Sequence, residues 1–143
     1  MYKPGRIVYQ LADEGLTPAQ LDRLVHIAAD SYSKENPIWI HLKISYAESI
    51  EFFTGYIKNA DLVAIAIDTE DNNKLVGAHV CQKLSLQSVH NVTNWRSTPA
   101  SKPYIELLKR IFEDFDRSKI LPGKIAFGKA VFVDRAYRGV YKQ

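Results

Sequence analysis

Leu62-Val63-Ala64-Ile65-Ala66-Ile67 and Lys74-Leu75-Val76-Gly77-Ala78-His79-Val80-Cys81-Gln82-Lys83-Leu84 flank the polar tetrad Glu70-Asp71-Asn72-Asn73. The first stretch is a short apolar run of the length of a buried strand. The second is rich in residues that suit a pleated, half-buried surface. The tetrad between them has turn composition. Together they predict an antiparallel hairpin, and the rest of the chain reads outward from it.

Downstream, Ser85 to Lys102 is polar, carries Pro99 and is followed by Pro103, so it reads as a loop. Its length marks it as a candidate functional segment. Tyr104, Leu107, Leu108, Ile111 and Phe115 then recur at helical spacing, and Pro122-Gly123 ends that helix. Ile125 to Val133 is a fourth strand.

Upstream, Ser45 and Glu48 form a capping box, and a helix follows through Ile50, Phe53, Tyr56 and Ile57 to about Asn59. An earlier helix opens at Thr17, with Pro18 at its first position and Gln20 completing a second capping box. Leu21, Leu24, Val25, Ala28, Ala29 and Tyr32 form its apolar face. Asn36-Pro37 interrupts it, because the residue before proline disfavours helical geometry. Arg6 to Ala12, with Ile7, Val8, Tyr9 and Leu11, is the first strand, broken by Gly15. The expected order is β-α-α-β-β-α-β, an α/β (α+β) domain with a mixed, largely antiparallel sheet flanked by helices.

The 143 residues imply one domain, and 46% hydrophobic with 24% charged residues is ordinary globular composition. A net charge of +3, from 19 basic and 16 acidic residues, forms no dense basic stripe. It favours a polyanionic small molecule over nucleic acid. One cysteine, Cys81, excludes an internal disulfide and reads as a small strand hydrophobe. No apolar run reaches membrane-spanning length, and Met1 to Gln10 lacks a signal-peptide core, so a cytoplasmic or nuclear location is expected, cytoplasmic first. Asn91-Val92-Thr93 then matches a glycosylation acceptor by chance. His41 and His90 fall in loops without ligand spacing, and no metal site is expected. His79 reads as a structural strand histidine and His26 as an exposed helical one. Phe52, Phe53 and Tyr56 read as core or cleft wall rather than a nucleic-acid stacking platform.

Three local segments carry a family resemblance along with the element order. They are Leu75-Val76-Gly77-Ala78 at the start of the third strand, Val133-Asp134-Arg135-Ala136-Tyr137-Arg138-Gly139 after the fourth, and Lys34-Glu35-Asn36-Pro37-Ile38 between the first helices. The chain resembles the front portion of a Gcn5-related (GNAT) acyl-CoA N-acyltransferase, nearest the arylalkylamine N-acetyltransferase branch. That resemblance implies acetyl-CoA as co-substrate and a small amine as acceptor. It implies backbone contacts from Phe132 and Val133 to the acyl-pantetheine arm, one N–H polarising the thioester carbonyl. It implies a pyrophosphate faced by Arg138, Gly139, Val140, Tyr141, Lys142 and Gln143, ahead of a helix N-terminus. Glu35 is the candidate general base.

The sequence departs from the family pattern at several positions. Asn36 stands where the arylalkylamine branch has its glutamate, and asparagine takes up no proton. Tyr141 and Gln143 stand where the phosphate loop has small residues whose backbone approaches the anion. The sequence ends at Gln143, before the later elements of such a domain. The alternative expectation is a non-catalytic GNAT-derived fragment that binds or dimerises through the open edge of its fourth strand, including by two chains completing one another.

Overall fold

The structure, a computed structural model, describes residues 6–83, 98–113 and 126–139. Four strands, β1 (Ile7–Leu11), β2 (Leu62–Asp68), β3 (Lys74–Lys83) and β4 (Ala126–Val133), form one sheet in the order β1-β2-β3-β4. Every neighbouring pair is antiparallel. Among the described residues the helices are α1 (Pro18–Glu35), α2 (Pro37–His41), α3 (Tyr46–Lys58) and α4 (Lys102–Glu113), and Arg135–Tyr137 is a 3₁₀ turn. The protein is therefore of mixed α+β class.

Both helix starts read from sequence are built as expected. The Thr17 side chain accepts from Gln20 N–H at 3.2 Å, while Gln20 accepts from Thr17 N–H at 2.9 Å. Ser45 and Glu48 exchange the same pair of bonds at 2.8 and 3.2 Å. The β2–β3 turn places Asn72 and Asn73 at φ of 50° and 54°, a region asparagine tolerates better than most side chains.

One element differs. Asn36-Pro37 ends α1 but also opens α2. The Asn36 carboxamide oxygen accepts from Ile38 and Trp39 N–H at 3.0 and 3.1 Å, and Pro37 occupies the first helical position. His41, expected in a loop, is the last residue of this turn of helix. Of the polar stretch read as a loop, only residues 98–102 are described, and Lys102 already belongs to α4. Leu84, His90, Asn91-Val92-Thr93, Phe115, Pro122-Gly123 and Ile125 lie outside the described residues.

The core lies between the helices and one face of the sheet. Leu24, Val25, Ala28 and Ala29 of α1, Trp39 of α2, and Phe53 and Ile57 of α3 pack with Val63, Ile65, Ala78, Val80, Ala130 and Phe132. Trp39 is 1% exposed; its indole N–H donates to Ser49 Oγ at 2.8 Å, and that hydroxyl donates to the Ser45 carbonyl at 2.9 Å. The large indole is thus buried with its one polar atom satisfied. Among the described residues no buried side-chain nitrogen or oxygen lacks a hydrogen-bond partner.

The cross-strand rows show the opposite face to be open in part. In the row Leu11–Ala64–His79–Val131, Leu11 is 50% and Val131 65% exposed. Gly77 of β3 lies close against the backbone of β4. A Cβ there would lie 2.9 Å from the Phe132 carbonyl oxygen, whereas a Cβ on Gly55 of α3 would meet nothing within 4 Å.

These two glycines predict opposite outcomes. Gly77→Ala forces β3 from β4 and should destabilise by about 1–3 kcal/mol. Gly55→Ala removes a helix-interior glycine in open space and should stabilise by about 0.5–1 kcal/mol. Denaturant unfolding of both variants checks the pair.

Candidate functional site

The candidate site begins where β4 ends. Asp134 N–H donates to the Val76 carbonyl at 2.7 Å, which makes Val133 and Gly77 a pair without direct ladder bonds between them. Antiparallel alternation then turns the N–H and C=O of Phe132 towards β3. Those of Val131 and Val133 face the outer edge, which is unpaired among the described residues. Phe132 itself is 2% exposed and packs against Phe53. Of the two residues expected to offer backbone groups to a ligand, Val133 has them on the outer side, where Arg138 Nε already occupies its carbonyl and its N–H is the group left to offer.

Past Val133 the chain folds back along α1, held by three polar links. Asp134 forms an ion pair with Arg23, whose Nε donates to the Leu75 carbonyl at 3.3 Å. Its other carboxylate oxygen accepts from Ala136 N–H at 3.0 Å and starts the 3₁₀ turn. Tyr137 donates to Asp68 Oδ2 at 2.8 Å and lies 3.3 Å from Asp71 Oδ2. Arg138 Nε donates to the Val133 carbonyl at 2.8 Å, and Arg138 Nη1 forms an ion pair with Glu35. Gly139 follows at φ 79°, a backbone conformation that favours glycine. Val140, Tyr141, Lys142 and Gln143 lie outside the described residues.

The segment's deepest anchor is Asp68, which is fully buried. Arg6 grips it with Nε–Oδ1 at 3.0 Å and Nη2–Oδ2 at 2.6 Å, and Glu70 N–H adds a bond at 3.0 Å. The Arg6 hydrogen bonds hold this carboxyl well below the usual carboxylate range against the opposing effect of burial, helped by Tyr137 and Glu70. Tyr137 is pushed up to about 12, first by burial and then by its hydrogen bond to the Asp68 carboxylate.

Glu35, the candidate base, ends α1 with both Arg138 and Arg135 against its carboxylate; Arg135 Nε lies at 3.9 Å. Asn36 is spent on capping. Sequence reasoning thus placed Glu35 and Arg138 in separate roles, and the fold brings them together. Beside them is a cavity of about 270 Å³ lined by Arg23, His26, Asp30, Asp134, Arg135 and Arg138. Asp30 is itself paired with Lys34.

A second cavity, about 230 Å³, lies between α3 and the start of α4, walled by Trp39, Phe52 and Tyr56, with Glu48, Thr98 and Ser101 on its lining. Phe53 is core and Phe52 and Tyr56 are cleft wall, as the sequence reading allowed. Burial pushes the Tyr56 phenol up, and it pushes Tyr104 up to about 12. Hydrogen bonds from Thr98 first, then Ser45, hold Glu48 below its ordinary value.

No family model matches the chain, and no curated protein matches it. Among the described residues no group of three His, Cys, Asp or Glu is placed to hold a metal ion, and no helix is long and apolar enough to cross a membrane. His79 is exposed on the sheet, with Nε2 at 3.5 Å from Cys81 Sγ.

The anchor has two pH signatures. Asp68 is lowered on folding, so its contribution is complete above about pH 4 and is lost as pH falls below that value. Tyr137 is raised, so its contribution is complete below about pH 10 and is lost as pH rises through about 12. The stability gap between the protein and Asp68→Asn should narrow in acid. The gap to Tyr137→Phe should narrow in alkali. Thermal unfolding across both pH ranges reads each gap.

Proposed function

We propose that the chain is an acyl-CoA-dependent N-acyltransferase-like protein whose acceptor is a small amine. The observation that carries this reading is the exit of β4. Val133 turns its backbone N–H towards a strand edge that is unpaired among the described residues, and the next five residues bring Asp134, Arg135 and Arg138 to one cavity with Arg23. An acyl-pantetheine arm needs backbone partners at such an edge, and a pyrophosphate needs guanidinium groups and a close backbone approach. Val133, Arg138 and Gly139 fit those requirements. The element order, with two long helices between the first strand and the hairpin and α2 as one further turn, supports the reading.

In this reading Val133 N–H would orient the thioester carbonyl and favour its developing negative charge. Arg135 and Arg138 would face the pyrophosphate. Glu35, held by two guanidinium groups, reads as their partner rather than as the base that deprotonates the amine, and the base is left unassigned.

Acetyl-CoA should raise the melting temperature. At one hundred times the dissociation constant the added stability is about 2.7 kcal/mol. Arg138→Ala should remove most of it. No shift at saturating acetyl-CoA sinks the reading.

A specific observation favours a second function, a binding or dimerising module. Val131, 65% exposed, lies on β4, whose outer edge is unpaired among the described residues, in the row that ends at half-exposed Leu11. Apolar edge strands pair with one another unless charge prevents it. Sedimentation velocity should then show concentration-dependent dimers that Val131→Lys abolishes; monomers at all concentrations rule this reading out.

A further inference from the structure

We infer that Glu35 is an internal competitor for anions, an acidic latch that occupies the guanidinium groups of Arg135 and Arg138 when no phosphate is present. The inference rests on the reading of residues 134–139 as the anion-facing segment.

Charge and geometry carry it. Of the five N–H donors of the Arg138 guanidinium, Nε is committed to the Val133 carbonyl, which fixes the plane of the group at the end of β4. Nη1 is then presented to Glu35. The same carboxylate lies 3.9 Å from Arg135 Nε, so one glutamate engages both arginines of the segment. The two acids that line the neighbouring cavity, Asp134 and Asp30, are already paired. Asp134 is held by Arg23, and Asp30 by Lys34. Glu35 is therefore the carboxylate that balances Arg135 and Arg138.

Its position also suits displacement. Glu35 is the last residue of α1, its side chain is 39% exposed, and Arg138 is 31% exposed. A pair in contact with solvent exchanges partners at small cost, and a phosphate offers the same bidentate oxygen geometry with more charge. An arriving pyrophosphate would take the guanidinium faces that Glu35 now holds. The Val133 bond would keep Arg138 aimed. Glu35 would turn to water.

Inorganic pyrophosphate is the probe, titrated calorimetrically at low ionic strength into the protein, Glu35→Gln, Arg138→Gln and the double variant. Glu35→Gln removes the charge and keeps the shape. It should bind pyrophosphate roughly fivefold more tightly, the scale of a partly exposed ion pair. The gain should vanish in the double variant, because it acts through Arg138. A side chain that only props up α1 would weaken binding when changed, not strengthen it. Unchanged or weaker binding by a folded Glu35→Gln overturns the latch, and so does a gain that persists without Arg138. If Glu35→Gln fails to fold, Glu35→Asp replaces it; its shorter side chain reaches Arg138 poorly and should also tighten binding. Wild-type stabilisation by acetyl-CoA with no gain in Glu35→Gln rejects the latch alone. Absence of any pyrophosphate or acetyl-CoA binding in every variant rejects the latch together with the acyltransferase reading.

Discussion

A carboxylate shut away from water must be compensated where it stands, and Asp68 at the end of β2 is fully buried. Without partners its charge would oppose folding. Arg6 arrives from before β1, Tyr137 from beyond β4, and Glu70 N–H from the hairpin turn. The ionised form is met by donors from three segments, so Arg6 and Tyr137, far apart in sequence, are drawn to one point. Tyr137 is thereby held close, and with it the turn that carries Arg135 and Arg138.

The core places the other half of the site. Trp39 can be buried because Ser49 takes its indole N–H, and Ser49 is oriented by the capping turn of α3. The indole packs edge-on to Tyr32 of α1 and lies tilted against Phe53 of α3. Those contacts, with the Asn36 cap, set where α1 stops. Glu35 is therefore at a defined helix end, and the segment leaving β4 runs past it. A residue read as a base from its neighbours in sequence has instead become a counter-charge.

Much of the fold was legible in the residues. Thr17 with Gln20, and Ser45 with Glu48, bond within one helical turn, so residue type and spacing suffice to read them. The β2–β3 hairpin is equally local, with Asn72 and Asn73 supplying the turn. The helix α2 was hidden although its signal was present. Asn36 followed by Pro37 is both a helix stop and a helix start, and a single turn of five residues offers no periodicity to decide between them.

The sequence by itself determined the element types, most of their boundaries and the antiparallel hairpin, because capping, turn preference and amphipathic period act over a few residues. The tertiary structure alone decided that Arg6 meets Asp68 across 62 positions, Tyr137 meets Asp68 across 69, and Arg138 meets Glu35 across 103. It also decided the strand order that leaves β4 at an edge among the described residues and the alternation that turns Val133 rather than Phe132 outward. Such pairings depend on which elements pack together and in what register, and a charged residue carries no mark of the distant partner that will neutralise it.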